Sequence, residues 1–159
     1  MVRKCRHGFR RILTIELDSD LARRAVKRLA RYPNIEVVEG DSARILPRVL
    51  SGLSEPALFW LDGHFSGTGT ARGERETPLL HELEAIGRHP VPGHVLLVDD
   101  ARLLGSGDYP SLEEIRQRVA PFQAGGEVVV ADDIVRCTPR RGAGGLSDSM
   151  SARASSVGS

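Results

Sequence analysis

A short apolar run, ALFWL at residues 57–61, stops abruptly at Asp62-Gly63-His64. Its length and composition predict a strand buried on both faces, as in parallel α/β sheets. Two other strand-like runs end the same way: residues 11–17 close on Glu16-Leu17-Asp18, and residues 94–98 close on Asp99-Asp100. In open parallel sheets the ligand crevice lies outside the carboxyl ends of the strands. Repeated acid at strand ends is therefore the main functional signal in this chain.

The intervening residues predict helices. After the first strand, Asp18-Ser19-Asp20 offers a helix N-cap, and Leu21, Ala22, Ala25, Val26 and Leu29 fall on one face, with Arg23, Arg24, Lys27 and Arg28 mostly on the other. Tyr32-Pro33-Asn34 stops that helix. Residues 35–38 form a short strand ending in Glu39-Gly40-Asp41-Ser42, and Ser42 caps a second helix carrying Ile45, Leu46, Val49, Leu50 and Leu53. Pro47 lies early enough in it to be tolerated. A polar, glycine-dotted loop over 63–76 has the length of a functional lid. Thr77 and Pro78 open a third helix with Leu79, Leu80, Leu83 and Ile86 as its buried stripe. Ser111-Leu112-Glu113-Glu114 fits a capping box, and residues 126–131 and 134–138 flank Asp132-Asp133 as an antiparallel hairpin. The fold class expected is α/β, a Rossmann-like, mostly parallel sheet with an antiparallel C-terminal hairpin. Residues 1–10 form a basic segment, 11–139 the domain, and 140–159 a disordered tail with almost nothing to bury.

Composition narrows the function classes. A chain of 159 residues with 40% hydrophobic and 27% charged residues suits one globular domain, and a net charge of +1 gives no strong overall field. No specific nucleic acid and no membrane are expected as partners. Arg3, Lys4, Arg6, His7, Arg10 and Arg11 crowd the N-terminus, and Arg136, Arg140 and Arg141 mark the end of the last apolar stretch; they read as a solvated end beside a strand, with a phosphate-binding face as the alternative. Cys5 and Cys137 fit no metal spacing, and neither a membrane helix nor a signal-peptide core is present, so a reduced, cytoplasmic protein is expected.

ILTIELD, NIEVVEGDS, FWLDGH, HVLLVDDAR and the closing hairpin together resemble the second to last strands of a class I S-adenosylmethionine-dependent methyltransferase, over roughly residues 11–138. The resemblance implies that Glu16 holds the cofactor's ribose hydroxyls, that Asp41 lies near its adenine amine, and that Asp62 adjoins it. A carboxylate can accept from two hydroxyls or from an exocyclic amine. Helix capping is the competing role for Glu16 and Asp41. In this family a first strand and a glycine-rich turn precede the second strand. Here only MVRKCRHGFR, with Gly8 as its one glycine, stands before Arg11. The chain thus reads as truncated, with the first strand missing. Weak cofactor binding and self-association, or a partner strand filling the gap in the sheet, are expected.

Asp62, Asp99 and Asp100 form a second constellation. Carboxylates at these positions bind a divalent cation in the metal-dependent O-methyltransferases, and oxygen ligands suit Mg2+. A metal-bound hydroxyl ionises more readily and becomes the nucleophile. His64, two residues past Asp62, is placed to take the substrate proton. The activity implied is O-methyl transfer to a small molecule. Two alternatives stay open: a non-catalytic remnant or binding module, and a metal-dependent hydrolase using the same aspartates.

Overall fold

The computed structural model describes residues 5–62, 78–107, 109–121, 123 and 125–140. Among them strands and helices alternate as β1 (Ile12–Glu16), α1 (Ser19–Leu29), β2 (Ile35–Glu39), α2 (Ser42–Ser51), β3 (Leu58–Leu61), α3 (Leu79–Gly87), β4 (Val95–Val98), α4 (Leu112–Val119), β5 (Glu127–Ala131) and β6 (Ile134–Thr138). The α/β class is as the residue pattern predicts. The chain divides into two compact units, Met1–Arg48 and Val49–Ser159.

In the first unit β1 and β2 are parallel, in register from Ile12↔Ile35 to Glu16↔Glu39. Asp18 caps α1, its carboxylate accepting from the N–H groups of Asp20 and Leu21 at 2.8 Å each. Asp20 in the first turn and Lys27 and Arg28 in the last complement the helix dipole. Ala22 and Leu29 are buried. The cap of α2 differs from expectation. Ser42 is already helical, and Asp41 accepts from the Ala43 N–H at 2.9 Å. Gly40 makes the turn into this helix with φ +138°, where a Cβ would stand 2.8 Å from Ile45 Cδ1. Ahead of β1 the chain turns, Gly8 N–H donating to the Cys5 carbonyl at 2.9 Å. Asn34 Nδ2 ties that turn down through the carbonyls of Arg6 and Phe9.

The second unit holds a four-stranded sheet of order β3-β4-β6-β5. β3 and β4 are parallel from Leu58↔Val95 to Leu61↔Val98, and β6 runs antiparallel between β4 and β5. Asp132 and Asp133 take positive φ (54° and 62°), as the two-residue turn of a β-hairpin requires. Leu79, Leu83 and Ile86 of α3, Ile115 and Val119 of α4, and Leu96, Val98, Val135 and Cys137 of the sheet are buried to 1% exposure or less. Each such Leu, Ile or Val side chain contributes about 1.5–3 kcal/mol on burial. α4 opens with the expected capping box between Ser111 and Glu114.

The described strands form two sheets, β1-β2 and β3-β4-β6-β5. One expectation is corrected: β3 was predicted to be buried on both faces. Among the described strands it lies at the edge of its sheet, with Leu61 buried and Leu58, Phe59 and Trp60 only half-buried. The segment 63–76 with His64, the Thr77 cap and residues 141–159 lie outside the described residues.

Candidate functional site

In the first unit the register of β1 and β2 sets Glu16 beside Glu39 at the carboxyl end of the ladder, and the Gly40 N–H closes it on the Glu16 carbonyl at 2.9 Å. Glu16 Oε1 accepts from the Asp18 N–H at 3.1 Å. Glu39 Oε1 accepts from the Ser19 hydroxyl at 2.5 Å. Asp41 follows one residue later, with one oxygen on its own helix terminus. Glu16 and Asp41 are thus brought to one strand-end region, and each spends part of its accepting capacity on the local backbone. A carboxylate offers about four acceptor positions, so both retain capacity for a hydroxyl or an amine. Alongside lies a shallow concavity of about 230 Å³ lined by Ala22, Arg23, Val26, Lys27, Val37 and Glu39. That is below the roughly 300 Å³ at which small-molecule pockets begin.

In the second unit the parallel register of β3 and β4 brings Asp62 and Asp99 to the same end of neighbouring strands, where the Asp99 N–H donates to the Leu61 carbonyl at 2.9 Å. Asp62 is exposed and Asp99 half-buried. Asp99 Oδ1 accepts from the N–H of Asp100, a residue in the left-handed region at φ 57°. Asp100 has a cation already. Arg102 Nη1 lies 2.7 Å from its carboxylate and also binds the carboxylate of Asp133 in the hairpin turn, while the Arg102 N–H donates to Asp133 at 2.7 Å. The hydrogen bond that the guanidinium donates to Asp133 and the field of Asp100 raise its pKa above its ordinary value.

Arg102 was not singled out from the sequence. The repulsion expected between clustered aspartates is relieved here by a guanidinium. Among the described residues no group of three or more His, Cys, Asp or Glu side chains gathers into a metal site. Asp62 and Asp99 stand at the same strand end. A hard cation takes six or more oxygens, so water or substrate oxygens would have to complete any site built on these two.

A second group missed in the sequence is a histidine relay. His94 is 2% exposed at the start of β4. The Ala57 N–H donates to its Nδ1 at 3.0 Å, which puts its proton on Nε2. Nε2 then donates to Nδ1 of His89 at 2.8 Å, and His89 Nε2 donates to the Leu53 carbonyl at 3.0 Å. Both rings are thereby fixed as neutral tautomers. Burial, and next the neighbouring His89, lower the His94 pKa from 6.5 to about 4. The relay holds the chain before β3 to the start of β4. Its composition was visible in the sequence, but two histidines five residues apart give no local signal of contact.

No family model matches the chain. It is 29% identical over 139 residues to the large ribosomal subunit protein bL25 of Pseudomonas fluorescens (strain Pf0-1), over 80% of this chain. The match spans 66% of that protein, just under two thirds of its length. Among solved structures, the N-methyltransferase NodS from Bradyrhizobium japonicum WM9 superposes with a TM-score of 0.44 at 14% identity, covering 81% of this chain and 74% of that one. That likeness is too loose to bear on activity.

Proposed function

We propose that this chain serves S-adenosylmethionine-dependent methyl transfer to an oxygen nucleophile of a small molecule. One observation carries the reading: every parallel strand of both sheets is followed at its carboxyl end by acid, Glu16 in β1, Glu39 and Asp41 at β2, Asp62 after β3 and Asp99 after β4. Glu16 and Asp41 take the nucleoside hydroxyls and amine. Asp62 and Asp99 take the acceptor oxygen or a Mg2+ ion holding it, Asp100 joins them if Arg102 releases it, and His64 takes the proton. A sulfonium methyl is already activated, so the protein's contribution is to align it with the nucleophile.

Calorimetric titration of the full chain with S-adenosylmethionine and S-adenosylhomocysteine, with and without Mg2+, tests this. Saturable heat that Glu16→Gln weakens severalfold is the expected result. Absence of heat at millimolar cofactor overturns the reading. Heat from Mg2+ alone turns it toward a hydrolase in which Asp62 and Asp99 hold the ion. The match to a ribosomal protein favours a second reading, a non-catalytic binding module, for which the cofactor titration would be silent.

A further inference from the structure

The near-neutral total of 22 basic and 21 acidic residues conceals a separation of charge. The first unit, Met1–Arg48, carries twelve Lys and Arg against six Asp and Glu, and the second carries ten against fifteen. Much of the first unit's surplus lies along α1. Helical spacing puts Arg24, Lys27 and Arg28, with Arg31 just past the C-cap, on the face opposite the buried Ala22 and Leu29. All four cations are exposed. Arg24, Lys27 and Arg28 have no ion pair or hydrogen bond among the described residues, whereas Arg23 is engaged by Asp20. The Arg31 guanidinium stands 5.3 Å from the Tyr32 ring centroid and that of Arg6 5.0 Å from the same ring, which extends the patch into the N-terminal turn. At 1.5 Å per residue, Arg24 to Arg31 covers about 10 Å.

We infer that this face of α1 docks on the phosphate backbone of a nucleic acid. Unpaired exposed cations repel one another, and a polyanion relieves that repulsion while releasing its own counterions. An anionic membrane fits less well. A helix lying in a bilayer surface needs a continuous apolar face, and α1 has turned its own against β1 and β2. Its exposed apolar side chains, Leu21 and Val26, lie on opposite flanks of the buried stripe. Contacts of this kind go to phosphates, so binding is without sequence preference. The inference stands apart from methyl transfer, and its test uses no cofactor.

Fluorescence anisotropy of the full chain with mixed-sequence 20-mer RNA and DNA single strands, from 50 to 200 mM KCl, is the experiment. Four phosphate contacts give a slope of log K against log salt of about −3, a loss of roughly fiftyfold across that range. The variant Arg24→Gln, Lys27→Gln, Arg28→Gln is expected to bind at least tenfold more weakly, with a slope of about −1. Gln is a good helix former, and unchanged circular dichroism confirms the fold. The variant Arg88→Gln, Arg116→Gln, Arg118→Gln has the same net charge and keeps wild-type binding. Equal affinity for RNA and DNA supports contact through phosphate alone, and a preference for RNA supports phosphate contact plus the 2′-hydroxyl. Absence of binding at 50 mM salt overturns the inference, as does equal weakening in both triple variants. So does binding to phosphatidylglycerol vesicles without binding to either oligonucleotide.

Discussion

Lowering the pH is expected to destabilise the second unit through His94. In the folded chain this ring is buried, neutral and bonded on both nitrogens, with a pKa lowered from 6.5 to about 4. A proton arriving at Nδ1 would meet the Ala57 N–H, which already donates there at 3.0 Å. In the unfolded chain the same ring protonates freely near its ordinary pKa. Between these two values the unfolded state binds more protons, so stability is fully present above about pH 6.5 and falls as the pH drops toward 4. One pKa unit corresponds to 1.36 kcal/mol, which makes the loss about 2 kcal/mol between pH 7 and pH 5 and about 3 kcal/mol by pH 4. Against a typical domain stability of roughly 5–15 kcal/mol that is a large share.

Urea unfolding followed by the fluorescence of Trp60, the one tryptophan of the chain, reads this directly, because Trp60 lies in β3 next to Phe59, whose ring meets His94 edge-on at 5.2 Å. Other groups titrate over the same range, so the comparison is with His94→Gln, whose amide can accept from Ala57 and donate to His89 without titrating. The wild type should lose about 2 kcal/mol more than the variant between pH 7 and pH 5. Parallel pH dependences in the two proteins would refute the assignment of the loss to His94.

Three further outcomes are expected. Gly40→Ala should lower stability by about 1–3 kcal/mol in urea titration, because φ +138° strains a residue that carries a Cβ, whereas Ile45 Cδ1 in its way is a side-chain tip that can shift; a neutral result would mean that the turn relaxes at no cost. Ellman titration should count one fast thiol in the folded chain and two in denaturant, since Cys5 is exposed while burial pushes the Cys137 thiol up to about 11. Arg102→Gln should bind Mg2+ severalfold more tightly than the wild type by calorimetry, because Asp100 and Asp133 lose their guanidinium; identical heats would show that Arg102 is not standing where a cation could.

Local features were legible in the sequence where the signal itself is local. The stripe of α1, its Asp18 cap, the capping box at Ser111 and the Asp132-Asp133 turn all depend on residues within a few positions of one another. Asp41 and Ser42 are both good cap residues, and which of them caps α2 depends on where the helix begins, which composition leaves open. β3 was misjudged for a different reason. Apolar composition shows that a strand tolerates burial, whereas its place at the edge of β3-β4-β6-β5 is decided by which strands pair with it. The acids at the strand ends could be read as a series. Their partners could not.

The ion that answers an acidic cluster is decided at long range in sequence and short range in space. Asp62, Asp99 and Asp100 suggested a metal, because clustered carboxylates leave open what neutralises them. Asp133 stands 31 residues from Arg102, and only the pairing of β4 with β6 brings the hairpin turn to the guanidinium. The same reasoning applies to the chain's total charge. At physiological salt a charge is screened beyond about 8 Å, so an anion approaching α1 responds first to the charged side chains nearest it, Arg24, Lys27, Arg28 and Arg31 among them. A sum of +1 over 159 residues describes no place on the molecule. Fields that bind ligands are sums over a few neighbouring side chains, and the fold chooses the neighbours.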